Sequence, residues 1–121
     1  MKYLFGLILL CAAFPSWGAT CWVAEYSNMV VDANGREVPV AQEPAITVQA
    51  ITSVDSTTQS AAFNSATRFV VIICDAQVYF TFSANPTATT SSFYLPAATE
   101  AARGITRGAD LEVAFCDNDC A

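Results

Sequence analysis

The strongest constraint on this chain is a period-two alternation of apolar residues in short runs. In residues 77–83, QVYFTFS, and 111–116, LEVAFC, large apolar side chains fall at every second position. That period is typical of a β-strand with one buried face. Turn-forming pairs separate the runs: Asn34-Gly35, Asp75-Ala76 and Asn85-Pro86. The pattern predicts an all-β fold, namely a small antiparallel β-sandwich or jelly-roll-like barrel of about seven short strands.

Several segments carry more specific predictions about local structure. Asn34-Gly35 stands between two apolar arms and indicates a type I′ hairpin, in which both central residues accept positive φ. Pro39 and Pro44 follow, and they favour an edge strand or a linker because proline cannot donate to a sheet ladder. Residues 97–104, AATEAARG, are the one helix-friendly segment, although they are too short to form a stable helix alone.

Two apolar runs predict which side chains are buried. Residues 67–74, TRFVVIIC, are almost continuously apolar, which is expected of a strand covered on both faces. In residues 45–54, AITVQAITSV, the alternation places Ile46, Val48 and Ala50 on one face. The phase then changes, which predicts a bulge or turn near residues 50–51. The aromatic side chains between residues 22 and 94 are expected to pack mainly within the core.

The N-terminal segment has the form of a secretory signal peptide. Lys2 precedes an apolar stretch of eleven residues from Leu4 to Phe14, and Pro15 and small residues follow. Eleven residues are too few to span a bilayer core of about 30 Å. We therefore expect a leader over residues 1–19, cleaved after Gly18, and a single β-sandwich domain over 20–121. A lipoprotein site at Cys11 and a retained hydrophobic anchor are the alternatives.

Four cysteines follow the leader, and an even number in an exported domain predicts disulfides. The disulfide candidates are Cys21, Cys74, Cys116 and Cys120. We expect Cys116–Cys120 in the terminal loop and Cys21–Cys74 between strands, with a Cys21–Cys120 bridge as the alternative. A four-thiolate zinc site is disfavoured because such sites have two close cysteine pairs and this chain has one.

Composition narrows the classes of function. The formal net charge is −6, and the chain contains no histidine. Because nucleic-acid binding depends on Lys and Arg, we expect no nucleic-acid partner. The lack of histidine excludes Ser-His and Cys-His nucleophilic pairs and His-ligated zinc. A glycosidase-like carboxylate pair is the remaining enzyme alternative, and no acidic pair stands out. We therefore expect no catalytic residue, metal or cofactor, and membrane contact through the leader alone.

Residues 66–97, ATRFVVIICDAQVYFTFSANPTATTSSFYLPA, resemble a family of small virion proteins of tailed bacteriophages and prophages. The shared pattern is an Ala-Thr-x-Phe-Val strand, an Asp-Ala turn, an aromatic strand, Asn-Pro-Thr-Ala-Thr and a Leu-Pro-Ala strand. Upstream, matching residues extend the resemblance to roughly residues 22–115: Glu25, Tyr26, Gly35, Glu43, Pro44 and Gln49. The resemblance implies a β-rich structural protein of a phage particle, of the minor or capsid-decoration kind. It implies no particular binding residue.

Two surface segments are candidates for contacts with other subunits. Residues 84–92, ANPTATTSS, combine small and hydroxyl side chains that can line a strand edge. Arg103 and Arg107, each followed by glycine, form the basic patch of the domain. The assembly-surface candidates are Asn85, Pro86, Thr87, Thr89, Thr90, Arg103 and Arg107. A solvated loop and an exposed hairpin tip are the alternative interpretations of these segments.

The sequence therefore predicts a non-enzymatic assembly protein. Its expected partners are phage capsid or particle proteins, in a homo- or hetero-oligomer, and its expected location is the virion. The leader and the four cysteines are not part of the family pattern, and disulfides rarely persist in the reducing cytoplasm where virions assemble. The alternative is an exported, disulfide-stabilised binding module of the periplasm or cell surface.

Overall fold

The computed structural model describes residues 18–52, 54, 56–108, 110–117 and 120. Residues 1–17 of the predicted leader, which was expected over 1–19, therefore lie outside the described residues. Ala19 is buried in the domain, and its carbonyl oxygen accepts a hydrogen bond from the Val54 amide at 3.2 Å. Cleavage after Gly18 would leave this contact in place.

The described part of the chain forms ten β-strands and no helix. Ten strands exceed the predicted seven because several are very short. The strands are β1 (Cys21–Tyr26), β2 (Met29–Val31), β3 (Glu37–Ala41), β4 (Thr47–Ile51), β5 (Thr58–Gln59), β6 (Phe69–Cys74), β7 (Val78–Ser83), β8 (Phe93–Leu95), β9 (Glu100–Gly104) and β10 (Glu112–Cys116).

The strands form a two-layer antiparallel sandwich, which confirms the predicted fold class. The first sheet has the order β4-β1-β6-β9, the second has the order β5-β10-β7-β8, and β2 and β3 form a separate hairpin. The core lies between the two sheets and takes apolar side chains from both of them. Val23, Val70 and Ile72 come from the first sheet, and Phe80 and Phe115 come from the second. These alternate positions of each strand point inward because the side-chain period of a strand is two.

Both expected disulfides are present. Cys21 and Cys74 are directly opposite each other on β1 and β6, and their bridge joins neighbouring strands of the first sheet. Cys116 at the end of β10 is joined to Cys120. All four cysteines are buried.

The hairpin near Asn34 forms, but its turn is not type I′. The Gly35 amide donates to the Asp32 carbonyl at 3.1 Å, and Gly35 has φ of 77°. Asn34 does not have a positive φ, so the turn has one left-handed residue and not two. The Asp32 carboxylate accepts hydrogen bonds from the Asn34 and Arg36 amides at 2.8 and 2.9 Å. This side-chain cap stabilises the wider turn.

The helix-friendly segment contains a strand. Residues Glu100–Gly104 form β9, which pairs with β6 along its length. The helix propensity of the alanines is overridden because β6 would otherwise present an unpaired edge beside the core. Residues Thr58–Gln59 form β5, which pairs with β10.

In the part of the chain that the structure describes, no helix is long and apolar enough to cross a bilayer.

We expect the two disulfides to contribute unequally to stability. Cys21–Cys74 closes a segment with a sequence separation of 53, whereas Cys116–Cys120 has a separation of 4. Loop-closure entropy then predicts that replacing the first pair by alanine lowers the free energy of unfolding by about 4 kcal/mol, and replacing the second pair lowers it by about 2 kcal/mol. Urea unfolding of the two double variants measures both values. An equal or larger loss for the terminal pair would contradict this account.

Candidate functional site

The outer face of the first sheet carries apolar side chains that remain exposed in the folded domain. Trp22 and Ile73 are each 40% exposed, and Val48 is 57% exposed. We call this surface the open face. The strand register arranges its apolar side chains in two rows: Ala50, Trp22 and Ile73 in one, and Val48, Ala24, Val71 and Ala102 in the other. Contiguous exposed apolar patches of this kind mark interaction surfaces more often than isolated apolar residues do.

The open face shows which side of β4 is exposed. Val48 and Ala50 share one face, as the alternation predicts, and that face is the outer one, whereas Gln49 and Ile51 face the interior. β4 pairs with β1 in continuous register up to Ile51, so the predicted change of phase coincides with the end of the strand and not with a bulge inside it. The register of β4 explains this orientation. Ile51 lies opposite Cys21, whose side chain points into the core, and a shift of β4 by one residue would move each of its side chains to the other face of the sheet.

The apolar run of β6 is likewise covered more fully on one face than on the other. Val70, Ile72 and Cys74 are fully buried, whereas Val71 is half-buried and Ile73 belongs to the open face. The prediction of coverage on both faces is therefore wrong for this end of the strand. Periodicity cannot separate the two cases, since a continuous apolar run does not show what lies above it.

The β2–β3 hairpin covers the remaining end of the same sheet surface. Tyr26 and Phe69 are buried there, and β3 contacts β6. The Tyr26 hydroxyl donates a hydrogen bond to Glu43 Oε1 at 2.9 Å. An ion pair of 3.2 Å between Glu37 of β3 and Arg68, the residue before β6, also holds the hairpin to this end of the sheet. Because the hairpin ends at this point, the two apolar rows beyond it stay exposed.

A buried carboxylate lies beneath the open face. Glu25 is 1% exposed. Its Oε1 accepts hydrogen bonds from the Asn64 amide at 2.7 Å and from the Thr67 hydroxyl at 2.8 Å, and its Oε2 accepts one from Gln49 Nε2 at 3.0 Å. A carboxylate suits this position because it only accepts, and its neighbours here are all donors. The contacts fasten β1, β4 and the segment before β6 together.

Gln49 extends this network to the loop that follows β5. Its Oε1 accepts a hydrogen bond from the Ala61 amide at 2.9 Å. The side chain thus bridges Glu25 and the Ala61 backbone, which explains why a polar residue faces inward on β4. The same residues line a shallow cleft of about 400 Å³ beside β4. The structure thus brings Glu25, Gln49 and Thr67 into one network.

The candidate segment 84–92 packs onto the outer side of the second sheet. Pro86 and Ala88 are buried, and Ala88 contacts a small cluster with Ala114 and Cys116. Gln59 Nε2 donates to the Pro86 carbonyl and to Asn85 Oδ1, each at 2.8 Å. The segment therefore covers a sheet of its own domain, and Pro86 is not exposed at the surface.

The threonines of this segment have different exposures. Thr87 and Thr90 are exposed, and Thr89 is half-buried. The Thr89 amide donates to Ser92 Oγ at 3.1 Å, and Thr89 lines a cleft of about 320 Å³ with Phe93. Thr87 and Thr90 thus remain available as surface contacts, and whether they make such contacts stays a prediction.

The two candidate arginines contact different parts of the domain. The Arg103 guanidinium lies over the Phe80 and Phe93 rings, 5.6 and 5.7 Å from their centroids, at the side of the sandwich where β8 and β9 end the two sheets. The Arg107 guanidinium donates to the Ser27 carbonyl at 3.4 Å. The Arg103 guanidinium thus makes cation–π contacts with rings of its own domain.

Sequence reasoning did not single out the residues of the open face. Trp22 was assigned to core packing, as were Phe93 and Tyr94, yet these three aromatic side chains are exposed. The sequence did contain one signal. β1, CWVAEY, has apolar side chains at consecutive positions and therefore on both faces of the strand, and the structure covers one of these faces with the second sheet. No family model, curated protein or solved structure matches this chain.

Removing the Glu25 carboxylate should strongly destabilise the domain. In Glu25→Ala, Asn64, Thr67 and Gln49 each lose an acceptor in a buried setting, and we expect the free energy of unfolding to fall by about 3 kcal/mol or more. Glu25→Gln should lose less, because one oxygen still accepts while its amide opposes the Gln49 amide. Chemical denaturation of both variants checks this. A loss below about 1 kcal/mol in Glu25→Ala would contradict the role of the network.

Tyr26 makes the free energy of unfolding depend on pH in the alkaline range. Burial raises the pKa of the Tyr26 phenol, and the hydrogen bond to the Glu43 carboxylate raises it further. Above about pH 10 the unfolded phenol loses its proton more readily than the folded one, so the unfolded state binds fewer protons and stability falls as pH rises. Tyr26→Phe lacks this loss. The stability difference between wild type and variant should therefore shrink between about pH 9 and 11, as measured by urea unfolding.

Proposed function

We propose that the protein is a non-enzymatic structural subunit of a phage or prophage-derived particle, and that it docks on other protein subunits through the open face. The observation that carries the proposal is the pair of exposed apolar rows around Trp22. The resemblance over residues 22–115 supports the choice of a particle as the setting.

The physical argument is that the open face is apolar, central and already ordered. Trp22 lies between Ala50 and Ile73 in register, and large aromatic side chains at the middle of a patch dominate many interfaces. Its strands are held by pairing on both sides of β1 and by the Glu25 network below. A partner that covers this surface therefore removes apolar area from water without ordering a flexible segment.

The charge of the chain supports a protein partner. The whole chain has a net charge of −6 and repels nucleic acid, whereas an uncharged apolar surface can approach another protein. The rows of the open face are uncharged until β9, where Glu100 stands opposite Ile73. This arrangement of an apolar centre with a charged rim is common in protein interfaces.

The second candidate function is an exported binding module of the periplasm or cell surface. The two disulfides favour it, because bridges of this kind persist in oxidising compartments. The same open face would then bind a surface protein and not a particle subunit.

The test follows the full chain, carrying a C-terminal tag, through particle purification from an induced host culture. We expect the protein to band with the particles on a density gradient. Ile73→Lys should lower the bound fraction by at least about tenfold, because it places a charge at the centre of the open face. Thr87→Lys, an exposed change on the opposite side of the sandwich, should leave the bound fraction unchanged.

Other outcomes assign the function differently. Loss of binding in Thr87→Lys but not in Ile73→Lys would transfer docking to residues 84–92. Recovery of the protein from the periplasm or medium, oxidised and with a new N terminus near Ala19, together with its absence from particles, would support the exported module and refute the particle role.

A further inference from the structure

The four sheet edges of the sandwich differ in how well they are protected against pairing. Within the described residues, β5 is two residues long, and β8 is three residues long and is followed by Pro96. β9 carries Glu100 and Arg103. Short strands, prolines and charges are the usual devices that prevent edge-to-edge association. β4, with the sequence TVQAI, has five residues and none of these devices.

The direction of the β4 backbone groups follows from the disulfide row. Cys21 and Cys74 are paired with a Cα–Cα distance of 4.1 Å, which is the short spacing of a non-hydrogen-bonded antiparallel pair. Thr20 and Asp75, the neighbouring pair of residues directly before β1 and after β6, confirm the alternation because the Asp75 amide donates a hydrogen bond to the Thr20 carbonyl at 3.0 Å. Cys21 and every second residue after it therefore direct their backbone groups towards β4.

The same alternation applies to β4. Thr47, Gln49 and Ile51 lie opposite residues of β1 whose backbone groups point at them. Val48 and Ala50 consequently direct their amide and carbonyl groups to the outer edge of the sheet. Among the described residues, no hydrogen bond reaches these groups. Their side chains belong to the open face, so an added strand would extend that face directly.

We propose that β4 pairs with β4 of a second copy of this chain, antiparallel and about a two-fold axis that passes through Gln49. In this register Val48 lies opposite Ala50 of the second copy, and Ala50 lies opposite Val48. The two first sheets then become one continuous sheet of eight strands, and the two open faces become one surface. The inference rests on the proposed function, because it names one of the protein subunits that this domain contacts.

Two observations favour a second copy as the occupant. The register is self-complementary in size, since each large valine meets a small alanine in both hydrogen-bonded pairs. Charge also favours pairing at this edge. Two copies of the chain, each with a net charge of −6, repel each other, and β4 has no charged side chain that would lie opposite the same side chain of the second copy and add to this repulsion.

The size of the contact sets its strength. A standard interface uses about 20–30 residues on each side, whereas β4 has five. The dimer should therefore be reversible and depend on protein concentration. Within a particle, docking of neighbouring subunits on a common surface raises their effective concentration and favours the pairing.

Amide hydrogen exchange measured across a range of concentrations, alongside sedimentation velocity, tests the pairing on the full chain. At low concentration the Val48 and Ala50 amides should exchange rapidly, while the Gln49 amide, bonded to β1, is protected. When nine-tenths of the protein is dimeric, the Val48 and Ala50 amides should exchange about tenfold more slowly. A protein that stays monomeric at every concentration, or a dimer without this protection, overturns the proposal.

A matched pair of variants locates the contact. Val48→Lys places a charge on the β4 edge and should abolish the dimer. Val31→Lys makes the same change at a residue with similar exposure, 55% against 57%, and should leave the dimer intact. Ala50→Lys serves as a second edge variant, and circular dichroism confirms that each variant is folded. A dimer that survives Val48→Lys and Ala50→Lys overturns the proposal.

The outcome is separable from that of the proposed function. Particle binding by Ile73→Lys tests docking, and the oligomeric state of Val48→Lys in solution, with no particle present, tests pairing between copies. If the protein binds particles but never dimerises, the pairing fails and the docking role stands. If it dimerises through β4 but is absent from particles, the particle role fails and the pairing stands. Protection of Val48 and Ala50 that appears only with a different protein refutes the second copy as the occupant.

Discussion

The buried carboxylate of Glu25 is the interaction on which the arrangement of the first sheet depends. It accepts three hydrogen bonds: two come from Asn64 and Thr67 in the segment before β6, and the third comes from Gln49 on β4. A buried acceptor of this kind is stable only when its donors are held in place. Its inward position on β1, and the inward position of Gln49 on β4, set which way every other side chain of these strands points.

The open face is a consequence of that polar alignment. With Gln49 directed inward, Val48 and Ala50 must point outward, and they join Trp22 and Ile73 across the sheet. The buried Cys21–Cys74 pair sets the same alternation of inward and outward side chains at the other end of β1. Its place in the sheet also means that the backbone groups of Val48 and Ala50 point to the free edge of β4. One alignment thus produces both features on which the functional proposals rest. On the second sheet, residues 84–92 cover part of the outer face, where Ala88 packs against Ala114 and Cys116.

Several elements were predictable because their signals are local. The short alternating runs predicted an all-β sandwich, and the spacing of four cysteines along strand ends predicted both bridges. The turn residues located the hairpin near Gly35 but not its type, since the Asp32 side chain decides that. The strand at Glu100–Gly104 was missed because its alanines favour a helix, and its pairing partner β6 is distant in sequence.

The sequence by itself determined the class of fold and the acidic character of the chain, and it favoured the two bridges over a Cys21–Cys120 alternative, because these depend on periodicity, net charge and cysteine positions. The tertiary structure decided which apolar residues stay exposed and which edge is unprotected. An apolar side chain on a strand is buried only if another layer covers it, and coverage comes from residues remote in the chain. Trp22 and Tyr26 share one face of β1, yet a hairpin covers Tyr26 and leaves Trp22 accessible to a partner.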